Sequence, residues 1–220
     1  LLSRGYALAT NTLDTFQTTC NPMVSAEAAL MTRERFVESY GVPEFTIGDG
    51  GSGGAIQQLL IAQNQPGLLD ALSPAAPFPD ALSISPGVSD CRLLVDYYAT
   101  PSGRTLTEEQ RAAVDGHLTS GTCVNWDDLF AGGIDPTDGC DPAIAPEDIY
   151  SVDNPDGVRC ALADSNVAIF GVDPETGFAR RVLSSEGVQY GLEAFASGVI
   201  DAEEFVTLNE QIGGFDIDGN

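Results

Sequence analysis

The feature that most constrains how this chain can fold is Gly48-Asp49-Gly50-Gly51-Ser52-Gly53-Gly54. Glycines this dense around one serine build no regular element of their own, so the stretch is a turn joining whatever flanks it. Before it, Phe45-Thr46-Ile47 follows Pro43 and is short, apolar and β-branched, as a buried parallel strand should be. After it, Ile56, Leu59, Leu60 and Gln63 recur at helical spacing, and Pro66-Gly67 stops that helix near Asn64. The order is strand, sharp glycine turn, helix.

Within the turn, residues 50–54 read G-x-S-x-G, the pattern of a nucleophile elbow. In such a bend the serine is held in a strained backbone conformation that lifts its Oγ clear of the sheet. Gly50 and Gly54 are both expected to be obligatory, because a Cβ at either would clash across the turn. The helix that follows aims its first N–H groups at the place where an oxyanion would develop. A second pattern overlaps it. Gly48-x-Gly50-x-x-Gly53 matches a dinucleotide-binding fingerprint, with Asp70 beyond it as the ribose-binding acid of a nucleotide-dependent oxidoreductase. Asp70, however, stands inside the short run Leu68-Leu69-Asp70-Ala71-Leu72, whereas such an acid closes a longer hydrophobic strand. The elbow is the better reading.

The flanking pattern extends it. Tyr6 to Leu13 is a strand candidate, a helix is expected over 25–40, strands over 45–48 and 68–73, and a helix over 53–64. Alternating strand and helix imply right-handed crossovers and a parallel sheet covered on both faces, with ligands bound at the carboxyl ends of the strands. From about residue 84 the character changes: Pro, Gly, Asp and Cys become dense and strands scarce. Thr107-Glu108-Glu109-Gln110 is a capping box opening a helix that stops near Gly116. Residues 166–181 read as a hairpin around Asp173-Pro174-Glu175-Thr176-Gly177, and helices are expected over 185–197 and 202–212. The fold class is therefore α/β: residues 1–83 are expected to form the central part of an α/β-hydrolase-type parallel-sheet core, and 84–220 a largely helical, loop-rich lid insertion.

Charge limits the partners. With 33 Asp and Glu against 9 Arg and no Lys, the formal net charge of −24 repels nucleic acid and anionic membrane surfaces. No apolar run is long enough to span a bilayer. Such acidity suits a salty or extracellular medium. It also raises calcium, since Asp135-x-x-Asp138-x-x-Asp141 and Asp216-x-Asp218-x-Asn220 gather oxygen ligands; otherwise no cofactor is expected. Cys20, Cys91, Cys123, Cys140 and Cys160 lack C-x-x-C spacing, which argues against zinc and for two disulfides in a secreted or periplasmic protein, their pairing left open.

Ser52 needs a histidine to take its proton and a carboxylate to orient that histidine. The sole histidine, His117, lies just past a short helix, where the helix dipole favours a surface imidazole over a catalytic base. Asp49, beside the serine, is expected to shape the turn. The segments at 4–12 (RGYALATNT), 45–58 (FTIGDGGSGGAIQQ), 187–200 (GVQYGLEAFASGVI) and 208–220 (LNEQIGGFDIDGN) resemble a family of secreted bacterial α/β-hydrolases, more distantly similar to the tannase and feruloyl esterase group. That resemblance implies an acyl-enzyme at Ser52, the Gly53 N–H as an oxyanion donor, a small-molecule or polymer ester as substrate, and a long lid. It also implies that the acid and the histidine follow residue 220, the chain being an internal segment of a larger enzyme.

Overall fold

The computed structural model describes residues 2–14, 21–181, 183–216 and 218–219. Cys20 and Asn220 lie outside them. The chain divides into two compact units, Leu1–Ser83 and Ile84–Asn220.

In the first unit, α1 (Pro22–Tyr40) opens with Asn21 at its N-cap, whose side chain accepts from the N–H groups of Met23 and Val24, and with Pro22 at the first position. It therefore begins earlier than the apolar periodicity alone indicates. Strand β1 (Ile47–Gly51), helix α2 (Gly53–Asn64) and strand β2 (Ala71–Ala75) form a βαβ unit. The strands pair in parallel from Ile47 opposite Ala71 to Gly51 opposite Ala75. A small core of Ala26, Ile61 and Leu68, with Leu30 and Leu69 against it, packs α1 on α2.

Three expectations for this unit are corrected. Residues 6–10 form no strand: no ladder partner reaches them among the described residues, and Asn11 instead turns the chain by accepting from Leu13 N–H (2.9 Å) and donating to Thr32 (3.0 Å) on α1. The sheet has two strands among the described residues rather than a full hydrolase core. Among the described residues of this unit α2 covers one face of the sheet, and Ile47 on the other is 44 % exposed.

The second unit is mainly helical. Helix α3 (Ala81–Ala99) runs into it and supplies Cys91, Leu93, Leu94, Tyr97 and Tyr98 to a core shared with Val114, Cys123, Tyr190, Ile200 and Leu208. The Pro- and Gly-dense composition from about residue 84 does not break this helix, and Pro86 and Gly87 both lie inside α3. Proline removes one helical hydrogen bond, while the buried stripe beyond it repays the loss. Gly87 is there for space: a Cβ would stand 3.1 Å from the Trp126 ring.

Helix α4 (Glu108–Asp115) carries the expected Thr107–Gln110 capping box and ends on Gly116 in the left-handed conformation. Helix α5 (Gly121–Phe130) carries Cys123, bridged to Cys91 of α3; the second disulfide joins Cys140 to Cys160.

The hairpin over 166–181 is only partly formed. After the one-turn helix α6 (Leu162–Ser165), the one-turn helix α7 (Val167–Phe170) replaces its first strand, leaving an antiparallel bridge from Val172 to Ala179 around a turn held by Asp173. The helix expected over 185–197 shortens to α8 (Leu192–Ala196), because Gly187 and Gly191 have positive φ. Finally α9 (Ala202–Gln211) is capped reciprocally by Asp201 and Glu204. No helix among the described residues is long and apolar enough to cross a membrane.

Candidate functional site

Strand β1 ends and α2 begins within two residues, and Ser52 makes the turn between them. Its backbone lies at φ 52°, ψ −113°, a region that residues with a Cβ rarely enter. Three backbone bonds hold it there. Ser52 N–H donates to Ala75 O at the end of β2 (2.9 Å), and Ser52 O accepts from the N–H groups of Ala55 (2.9 Å) and Ile56 (3.2 Å). The residue is exposed, and although it occupies the N-cap position its side chain makes no capping hydrogen bond. The hydroxyl is left available.

Gly50 and Gly54 do not contribute equally to the bend. A Cβ at Gly50 would come within 3.0 Å of Gly54 Cα and 3.1 Å of Gly54 C, both rigid backbone, whereas a Cβ at Gly54 would meet nothing within 4 Å. The clash expected at both positions exists at one. Gly48 is tight for another reason, with Gln58 Cβ 2.9 Å and Leu69 Cδ1 3.0 Å from where its Cβ would stand.

Gln58 is the residue that sequence reading missed. It lies on α2, is 3 % exposed, and its amide is spent across the bend. Nε2 donates to Gly50 O (3.2 Å) and Gly54 O (3.0 Å), while Oε1 accepts from Ser73 N–H of β2 (2.8 Å). A polar side chain one helical turn beyond Gly54, on the buried side of α2, is the signal that could have revealed it. A second strained residue stands close by. Ala76, directly after β2, has φ 45°, so the adjacent carboxyl ends of both strands carry a non-glycine residue in the left-handed region.

Gly53 is the first residue of α2, where helix geometry leaves the backbone N–H without an intrahelical acceptor and the macrodipole is positive. Asp49 alternates to the other side of β1 from Gly48 and Gly50 and is exposed. Asp70 lies at the opposite edge from the glycine turn. It precedes β2, accepts from Thr46 N–H (2.7 Å) and donates its own N–H to Thr46 O (2.8 Å), pinning the start of the two strands together. A ribose-binding acid would stand at the far end of β2, so the dinucleotide reading loses its acid.

The remaining sequence candidates belong to the second unit. His117 follows the α4 cap, is half-buried and packs edge-on against Trp126. A ring nitrogen lies within 4.8 Å of the sulfurs of Cys91 and Cys123, which are joined to each other and so offer no thiolates.

Asp135, Asp138 and Asp141 are engaged locally. Asp135 accepts from Thr137 N–H, Asp138 from Gly139 N–H and Asp141 from Ala143 N–H, each a side-chain-to-backbone turn. Asp218 takes the Tyr150 hydroxyl (2.8 Å) and an Arg159 guanidinium N–H (3.0 Å), and that guanidinium lies 4.1 Å over both the Tyr150 and Phe178 rings.

The first unit thus presents an exposed serine on a strained strand-to-helix bend, with the first N–H groups of α2 beside it. The chain belongs to a tannase-like family of unknown function (DUF6351), whose model spans residues 1–220. No curated protein and no solved structure matches it.

Proposed function

We propose that this chain carries the nucleophile of a serine ester hydrolase. The observation that carries the reading is the φ of 52° at an exposed Ser52 between a parallel strand and a helix, and membership in a tannase-like family supports an ester as the substrate class. Ser52 Oγ attacks the ester carbonyl, its proton passes to a histidine, and the alcohol leaves to give an acyl-enzyme that water then hydrolyses. The Gly53 N–H, at the positive end of α2, steadies the oxyanion of each tetrahedral intermediate. We look for the histidine and its carboxylate beyond residue 220, as the family resemblance implies, and for the specificity-setting lid in residues 84–220. The two disulfides are compatible with an extracellular setting.

Turnover of an activated ester by the full-length protein tests the reading. Ser52→Ala is expected to remove it, a loss of at least about a thousandfold. A Ser52→Ala protein that still hydrolyses the ester refutes the proposal, and a wild type that does not hydrolyse it points to a scaffold kept for binding.

A further inference from the structure

The bend at Ser52 is energetically uphill. A residue with a Cβ is strained in this part of backbone space and stays there only where its surroundings over-determine it. Two restraints are already evident: the Ser52 N–H bond to Ala75 O and the close approach of Gly50 to Gly54. The first ties the apex of the bend to the end of β2, and the second brings its two arms together. Neither is a side chain that holds both arms and the strand at once.

The Gln58 amide does. Gly50 O lies two residues before Ser52 and Gly54 O two after, and one Nε2 reaches both, at 3.2 and 3.0 Å. The same amide is anchored to β2 from its other side, where Oε1 takes Ser73 N–H at 2.8 Å, and Nε2 is 3.5 Å from Ser73 O. One planar group therefore fixes the descending arm, the ascending arm and the adjacent strand with respect to one another. Its Cβ also stands where a Cβ on Gly48 would have to go, so α2 and β1 approach closely at this point. A buried amide is expensive unless fully bonded, and here both of its ends are used. A leucine at this position would pack as well for the fold of α2, but would hold neither arm.

We propose that Gln58 is a positioning residue for the nucleophile: its side-chain amide locks the strained Ser52 turn against β2, so that the hydroxyl and the Gly53 N–H keep the geometry that acyl transfer needs. The inference rests on the hydrolase reading of Ser52. Gln58 touches no substrate; it acts through the backbone of residues 50–54 and through Ser73. A displacement of the serine of about 1 Å lowers the rate of the chemical step by about a hundredfold while leaving the binding surfaces in place.

The test compares fluorophosphonate inactivation of full-length wild type, Gln58→Met and Ile61→Ala, with turnover of an activated ester. Gln58→Met keeps the shape and removes the amide. Ile61→Ala weakens the α1–α2 core away from the bend and serves as the control for lost stability alone. Gln58→Met is expected to lower the inactivation rate constant and kcat at least about tenfold with KM nearly unchanged, whereas Ile61→Ala melts earlier yet reacts as wild type does. Should Gln58→Met fail to fold, Gln58→Leu carries the same expectation, since it too is apolar and of similar size and loses the amide bonds to Gly50 O, Gly54 O and Ser73 N–H. A folded Gln58 variant that reacts at the wild-type rate, or one slowed no more than Ile61→Ala, overturns the positioning role alone. An unreactive wild type overturns the hydrolase reading and this inference with it.

Discussion

At Gly50 and Gly54 the same residue type meets two different demands. A methyl group at Gly50 would press on the backbone of Gly54 at 3.0 Å, while at Gly54 it would enter open space. Gly50→Ala should therefore cost about 1–3 kcal/mol, as overpacking against rigid atoms does. Gly54→Ala, inside α2, should leave stability unchanged or raise it by about 0.5–1 kcal/mol, because alanine is the better helix former. Chemical denaturation of the two variants reads the contrast directly, and equal losses would contradict the geometry.

The elbow pattern made Ser52 and Gly50 legible in the sequence, since a five-residue motif encodes its own backbone strain. It could not say which glycine bears the clash. Gln58 stayed hidden for a related reason: the carbonyls it serves come from both sides of the turn, and its anchor at Ser73 lies in a strand 15 residues away.

Among the elements, those set by local chemistry were readable, and those set by distant neighbours were not. The Thr107–Gln110 and Asp201–Glu204 boxes announce α4 and α9, because each cap is satisfied within four residues. Helix α3 was not read from the sequence, and the place of Gly87 within it makes sense only once Trp126 of α5 stands beside it. Residues 6–13 look like a strand, but a strand exists only where another offers its ladder, and the described residues bring none.

The pairing of α3 with α5 rests heavily on Cys91–Cys123, whose sequence separation is 32. Closing a loop of that length restricts the unfolded chain by about 3–4 kcal/mol. Replacing both cysteines by alanine is expected to lower the stability of the second unit by about that amount, seen as a lower urea midpoint, while Cys140–Cys160 remains oxidised. An unchanged midpoint would show that the helical core alone holds the two helices.

At the scale of the whole molecule, acidity shapes the response to pH. Burial raises the carboxyl of Asp115, which accepts from the Tyr98 hydroxyl, above its ordinary value of 3.8, and burial does the same to Asp90 beneath Tyr190. A raised carboxyl is protonated more readily in the folded state than in the unfolded one. Its contribution to stability is therefore fully present below about pH 3.8 and is lost as pH rises through the folded-state value. Asp80 works the opposite way: bonds from Ser83 hold it low, so its share is present above 3.8 and lost on acidification. Asp115→Asn keeps an acceptor for Tyr98 and cannot ionise, so its melting temperature should fall less than that of the wild type between pH 4 and 7. A parallel fall in both proteins would rule Asp115 out as a source of the slope.

At this scale the sequence conveyed acidity, two disulfides and a parallel βαβ unit, all of which the structure contains. It could not convey the pairing of the cysteines, which depends on how α3 and α5 meet in space. The central claim concerns one oxygen, and the most direct measurement is to react the full-length protein with a fluorophosphonate and map the adduct by mass spectrometry. A single adduct on the peptide containing Ser52, absent after Ser52→Ala, is the predicted result. An adduct confined to another serine, or none at all, would contradict it.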